Sequence, residues 1–238
     1  MGFGSLSIKR IGMFSVKILG VSVDRVSLEA AVDLVGKWVK EDKKRYIVTV
    51  NPEFVMLAQK DAEFKKILNS ADLAIPDGVG LRLADRRLKR LAGVDLMLSL
   101  IKKGYKTVLA GGRAGIAQKA VLTLRSNLVG LPTRLDLVGL SEPNIDKINK
   151  INPDLLFVAL GMGKQEKWIA KNLAKLNIKV AMGVGGALDQ IAKPWLRAPL
   201  RVQALGLEWL WRLIMQPWRI KRQWQLVKFT WLIRKKYG

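Results

Sequence analysis

Hydrophobic positions along this chain switch repeatedly between two spacings. Short runs rich in Val, Ile, Leu and Ala predict strands at Val16–Leu19, Tyr46–Val50, Leu73–Ile75, Thr107–Ala110, Arg134–Val138, Leu155–Leu160 and Val180–Val184. Stretches with helical spacing lie between them: Leu28–Lys40, Pro52–Gln59, Ala62–Asn69, Val79–Leu88, Leu96–Lys102, Ile116–Leu128, Lys164–Leu176 and a C-terminal set. Strand and helix in alternation predict an α/β fold, a Rossmann-like, mostly parallel sheet with helices on both faces. Asn51-Pro52-Glu53 reads as a helix start, with Asn as cap and Pro at the first helical position. No internal repeat or low-complexity segment interrupts the pattern.

The pattern changes near Lys193-Pro194. Six of the eight tryptophans follow: Trp195, Trp209, Trp211, Trp218, Trp224 and Trp231. Arg and Lys are dense there, and Glu208 is the single acid. Residues 1–194 therefore read as an α/β catalytic domain and 195–238 as a basic, Trp-rich helical appendage. Trp211 and Trp218 are seven apart, as are Trp224 and Trp231, so each pair can share a helical face. Pro217 should break the path between them. The net charge of +23 in 238 residues points to an anionic partner. Tryptophan beside cations, with Leu, Ile, Val and Phe between, suits a membrane interface. Nucleic acid is the rival, with aromatics stacking on bases, and plain packing on the body is the third reading. Met1–Phe14 holds no apolar core of signal-peptide length, and no run reaches the ~18 apolar residues that would span a bilayer. The expectation is a cytosolic protein, or one attached to the cytosolic membrane face.

Candidate chemistry is narrowed by what is missing. There is no histidine and no cysteine, which excludes Ser-His and Cys-His nucleophilic pairs, zinc sites and imidazole bases. A carboxylate is then the general base to look for. In Ala71-Asp72-Leu73-Ala74-Ile75-Pro76-Asp77-Gly78-Val79-Gly80, an apolar strand ends in proline and aims Asp77 out of the sheet edge, where open α/β sheets bind ligands. Asp77 could instead be a helix cap. Asp72 reads as the opening of a strand, and Asp95 as a cap for the helix beginning near Leu96. Other strand ends carry Thr49 and Asn51, Gly111 and Gly112, Gly161 with Gln165, and Gly183 with Gly185 and Gly186. In a parallel sheet these five ends share one edge, where glycines let backbone amides approach a diphosphate. No Gly-x-Gly-x-x-Gly follows the first strand and no phosphate loop is present. There is also no Asp-x-Asp pair to hold a metal, so none is expected.

Thr49-Val50-Asn51-Pro52-Glu53, Ala71-Asp72 through Pro76-Asp77-Gly78, Gly93-Val94-Asp95-Leu96-Met97, Gly161 through Lys167-Trp168, Gly183-Val184-Gly185-Gly186 and Gly206-Leu207-Glu208-Trp209 occur in this order. Together they resemble the TagA/WecG/CpsF glycosyltransferases, glycosyltransferase family 26. The resemblance spans roughly Ile18 to Leu232 and leaves residues 1–14 as a variable tail. It implies an inverting hexosyltransferase that moves N-acetylmannosamine, or a related sugar, from a UDP-sugar to undecaprenyl-diphosphate-linked N-acetylglucosamine, for teichoic acid or another surface polysaccharide. It implies Asp77 as base, Thr49, Asn51 and Gln165 in the pocket, and a membrane-binding appendage delivering Arg212, Arg219 and Arg222. It also implies a body able to self-associate. Met162-Gly163 stands where many members have a residue followed by proline. Two readings stand beside this one: the same fold with another UDP-hexose donor, and a basic nucleic-acid or nucleotide-binding protein without catalysis. The appendage is expected to be loosely packed in solution and to order on anionic bilayers.

Overall fold

In the computed structural model, residues 15–113, 115–127, 136–199, 201–202, 205, 207–217 and 220–237 are described. Six strands form one sheet: β3 (Arg45–Val50), β4 (Leu73–Pro76), β5 (Thr107–Gly111), β6 (Leu137–Leu140), β7 (Leu155–Ala159) and β8 (Val180–Gly183). Their order is β4-β3-β8-β7-β5-β6, and every neighbouring pair is parallel. The predicted parallel α/β sheet is observed. Its C-terminal strand ends share one edge, with Val50 opposite Pro76, Gly111 opposite Ala159 and Val158 opposite Gly183.

Alternate residues of each strand feed opposite cores. Ile47, Leu109, Phe157 and Met182 face one way, towards helices α1 (Leu28–Val39), α4 (Gly93–Lys102), α5 (Ile116–Asn127) and α8 (Ala187–Ala192). Val48, Val108, Leu156 and Ala181 face the other way, with α2 (Pro52–Ala58), α3 (Ala62–Ser70), α6 (Ile145–Ile151) and α7 (Lys164–Asn172). The predicted cap forms: Asn51 Oδ1 accepts the Phe54 N–H at 3.0 Å, and Pro52 opens α2.

Some elements differ from the sequence expectation. β1 (Ser15–Ile18) and an unpredicted β2 (Val21–Asp24) make a separate antiparallel hairpin. Its two-residue turn, Leu19-Gly20, has positive φ at both positions (48° and 83°). This is the geometry of a primed hairpin turn, made here without the Asn-Gly that would announce it. β2 lies beside β4, where the buried Asp24 carboxylate accepts the Ala74 N–H at 2.7 Å. Helices α6 and α8, of seven and six residues, were too short to stand out by period. Val79–Leu88 is not one helix: a 3₁₀ turn covers Val79–Leu83, then the chain bends at Asp85. That carboxylate takes Arg25 at 2.5 Å and the Arg87 N–H at 2.9 Å. Helix α4 begins at Gly93, with Ala92 at the cap position, so Asp95 lies in its first turn and pairs with Arg197 rather than capping. Of the expected strand Arg134–Val138, Asp136 precedes β6 rather than joining it, and Arg134 and Leu135 fall in 128–135, outside the described residues.

The appendage contains α9 (Glu208–Met215) and α10 (Ile220–Tyr237). α10 packs on α2 and the Val79–Leu83 turn. Phe229 and Ile233, at 0% and 3% exposure, are its buried anchors. The expectation of a loosely packed appendage therefore needs revising, because α10 is folded and docked. Its outer face is also apolar, with Trp224, Val227 and Trp231 each about three-fifths exposed. Trp224 and Trp231 do share one face, and Lys235 lies over the Trp231 ring at 5.3 Å. Trp218 lies outside the described residues.

Candidate active site

The strand order determines where a ligand site can form. The chain leaves β3 for α2 on one face of the sheet and leaves β8 for α8 on the other. The loops part between these adjacent strands, leaving a crevice at their C-terminal ends. A cavity of about 460 Å³ occupies it.

Asp77 sits on its wall at the end of β4, half-buried. Its backbone N–H bonds to the Val50 carbonyl at 2.7 Å, tying the β4 end to the β3 end. The cap position of the following turn is Gly78, without a side-chain cap bond, so Asp77 is not a helix cap. Thr49, buried at 6% exposure, and Asn51 line the same cavity. Asn51 Oδ1 is committed to the cap of α2, which leaves its NH₂ as the group able to donate to a ligand. Gly93 lets these groups meet. A Cβ there would lie 2.8 Å from Thr49 Cγ2 and 3.7 Å from Asp77 Oδ2, so α4 can begin against the site only with glycine.

Gly161, Gln165, Gly185 and Gly186 form another part of the lining. Gln165 is almost fully buried: its Oε1 accepts the Gly185 N–H at 3.0 Å, and its Nε2 donates to Glu166 Oε1 at 2.7 Å. Glu166 Oε2 accepts the Gly163 N–H at 2.8 Å. Burial pushes the Glu166 carboxyl up to about 7, against the hydrogen bonds from Gln165 and Gly163 that favour its ionised form.

Three of the predicted glycines do not line the cavity. β5 is separated from β8 by β7, so Gly111 and Gly112 lie too far along the edge. The Gly112 N–H bonds to the Ala159 carbonyl at 2.6 Å, and a Cβ on Gly111 would lie 2.7 Å from the same oxygen. These two glycines allow two strand ends to approach each other. Gly183 makes room for the Gln165 and Glu166 side chains, each of which would be 2.7 Å from its Cβ.

The sequence reading missed Arg90 and Gln190 and gave no site role to Glu208, quoted only within a motif; all three are on the cavity wall. Arg90 closes the basic run Arg86-Arg87-Leu88-Lys89-Arg90, in which nothing local sets it apart from its neighbours. Its guanidinium pairs with Glu208 of α9 at 2.6 Å. Trp209, Leu226 and Thr230 also line the cavity, so the appendage closes one side. Of the predicted arginines, Arg219 lies outside the described residues, and only the backbone positions of Arg212 on α9 and Arg222 on α10 are described. Among the described lining residues, Arg90 is the one cation beside Asp77, Glu53 and Glu208. Among the described residues, no three acids stand close enough to hold a metal ion, and no helix is long and apolar enough to cross a membrane.

The sequence model of the Glycosyl transferase WecG/TagA/CpsF family matches residues 16–237. An N-acetylglucosaminyldiphosphoundecaprenol N-acetyl-beta-D-mannosaminyltransferase of Bacillus subtilis (strain 168) is 31% identical over 226 residues, covering 88% of this chain and 87% of that protein. A protein of the same name from Staphylococcus aureus (strain MRSA252) is 29% identical, with 95% of each chain covered.

Proposed function

The chain belongs to the WecG/TagA/CpsF glycosyl transferase family, and from that footing we propose that it transfers N-acetylmannosamine from UDP-N-acetylmannosamine to N-acetylglucosaminyl-diphosphoundecaprenol. The observation that carries the chemistry is the meeting of Asp77, Thr49 and Asn51 at the mouth of the crevice in a chain without histidine. Asp77 takes the proton from an acceptor hydroxyl. That oxygen attacks the anomeric carbon of the donor sugar from the face opposite UDP, the bond to UDP breaks, and UDP leaves with the electron pair. Configuration inverts. General-base assistance of this kind is worth roughly 10²–10⁴ in rate.

The departing diphosphate needs positive charge. Arg90 and the appendage arginines Arg212, Arg219 and Arg222 are assigned that role, and no metal is. The outward tryptophans Trp195, Trp224 and Trp231, interleaved with cations, seat the protein on the cytosolic face of an anionic membrane, where a polyprenyl acceptor resides. Surface polysaccharide or teichoic acid synthesis is the setting.

The test is UDP release from UDP-N-acetylmannosamine in EDTA, with and without a lipid-diphosphate N-acetylglucosamine acceptor. Acceptor-dependent release in the wild type, abolished in Asp77→Asn with UDP binding intact, is the expected result. Unchanged turnover in Asp77→Asn would remove it from the mechanism. Absence of both release and UDP binding would overturn the reading and favour a basic binding protein.

A further inference from the structure

Glu166 is 1% exposed and does not line the cavity, yet it touches the residue that does. Its position in the sequence, third in α7 after Gly163, suggests a helix-capping acid and nothing more. The hydrogen-bond order around it says otherwise. Four groups form a line: the Gly163 N–H, the Glu166 carboxylate, the Gln165 amide and the Gly185 N–H. Both ends are backbone donors. The amide accepts at one end, from Gly185, and must therefore donate at the other. The group between that NH₂ and the Gly163 N–H must accept on both sides. An ionised carboxylate does so, and a neutral amide does not.

We infer that Glu166 is a positioning residue for the transfer reaction, fixing the orientation of the Gln165 amide so that it meets the UDP-sugar as a hydrogen-bond donor. With the carbonyl held by Gly185 and one N–H held by Glu166, the second N–H of Gln165 is the polar group left for a ligand. Gln165 stands in the first turn of α7, a nine-residue helix whose N-terminal end favours an anion such as the donor diphosphate. Gly183 belongs to the same device, since any side chain there would displace both members of the pair. The inference rests on the donor reading given above.

The experiment is a double-mutant cycle on the full chain, with UDP affinity read by calorimetry and donor KM and kcat by turnover. Glu166→Gln places two donors face to face wherever the amides are turned, and should weaken UDP binding roughly tenfold. Gln165→Ala should do the same, and the pair together should lose no more than either alone. A capping role alone would instead add its loss to that of Gln165→Ala, and would overturn the inference. The exchange Gln165→Glu/Glu166→Gln restores the acceptor-donor order but puts a carboxylate on the cavity wall. It should recover the wild-type Tm that Glu166→Gln loses while leaving UDP binding weak. Recovery of wild-type UDP affinity by this exchange, or an unaltered affinity in Glu166→Gln, would also overturn it. Wild-type protein that binds no UDP would defeat the donor reading itself, a result separable from any difference between variants.

Discussion

Replacing Phe229 with alanine should release the appendage without unfolding the body. Phe229 is fully buried, and with Ile233 it makes up the buried part of α10 among the described residues. α10 reaches only α2 and the Val79–Leu83 turn in its main contacts, so its docking does not depend on the sheet's other face. Truncation of a buried Phe costs about 3–5 kcal/mol, combining lost transfer energy with the cavity left behind. Taking the lower figure, and tenfold per ~1.4 kcal/mol, opening of α10 becomes about a hundredfold more frequent. Native-state hydrogen exchange reads this directly. Amides of α10 should exchange about a hundredfold faster, while those of β5, β7 and β8 keep their protection. Trp224→Ala is the control: at 65% exposure its removal should leave α10 protection unaltered. Turnover should fall in Phe229→Ala, because Leu226 and Thr230 leave the cavity wall with the helix. If the α10 and sheet amides lost protection together, Phe229 would belong to one cooperative core and the appendage would not open separately from the body. Unchanged α10 exchange would show that docking rests on other residues.

Glu166 and Asp85 should move stability with pH in opposite senses. The folded Glu166 carboxyl lies near 7 against 4.5 for an ordinary Glu, so its contribution is intact below about pH 4.5 and is lost as pH rises to about 7, a change of about 3 kcal/mol. Denaturant titrations across that window should show this slope in wild type and not in Glu166→Gln; equal slopes would refute it. Partial desolvation raises the half-buried Asp85 carboxyl, but hydrogen bonds from Arg87 and the Arg25 pair outweigh this and bring it to about 2 from 3.8. Its contribution, about 2 kcal/mol, is present above pH 4 and lost as pH falls through about 2, and Asp85→Asn should flatten that acid limb of the curve. Trp224→Ala/Trp231→Ala should abolish sedimentation with anionic liposomes while leaving Tm within a degree or two, since neither ring is buried; retained sedimentation would exclude this face as the membrane contact.

The sheet was readable because its strands are buried on both faces: all six residues of β3 are buried, and the apolar run Tyr46–Val50 could not be mistaken. Asp77 was readable for a related reason, since a proline ends the run and the acid after it has to leave the sheet. The hairpin was not readable, because Leu19 adopts a positive φ that no local residue announces. The Val79–Leu88 expectation failed because Leu81 and Leu88 are both buried at a helical spacing of seven, while the bend between them depends on Arg25, sixty residues away. Glycines gave the most misleading signal. Gly111, Gly112 and Gly183 carry the same pattern as Gly161 and Gly185, but what separates them is strand order and the side chains they accommodate. Arg90 was missed, and Gly93 was quoted within a motif without a role, for the converse reason: each acts at the site through a contact with a distant segment, Glu208 in one case and Thr49 in the other.

Glu166 shows why a fold would keep an acid in its core. Burial favours replacing it with a neutral side chain of similar volume, because above pH 7 the ionised form is held away from water at a cost of about 3 kcal/mol. The acid supplies two acceptors and no donor. The loops impose that requirement. Gly163 and Gly185 both have positive φ, +81° and +50°, and in those turns each aims its N–H inward at the Gln165–Glu166 pair. The same turns place Gly161, Gly185 and Gly186 on the cavity wall. Opening the crevice therefore points two backbone donors at one buried spot, and an amide followed by a carboxylate is the pairing that satisfies both. The acid in turn demands glycine at 183. A local penalty retained in this way is expected where geometry serves a ligand rather than the core. It also explains why Lys164-Gln165-Glu166, ordinary as a helix start, becomes part of the site once α7 is set against β8.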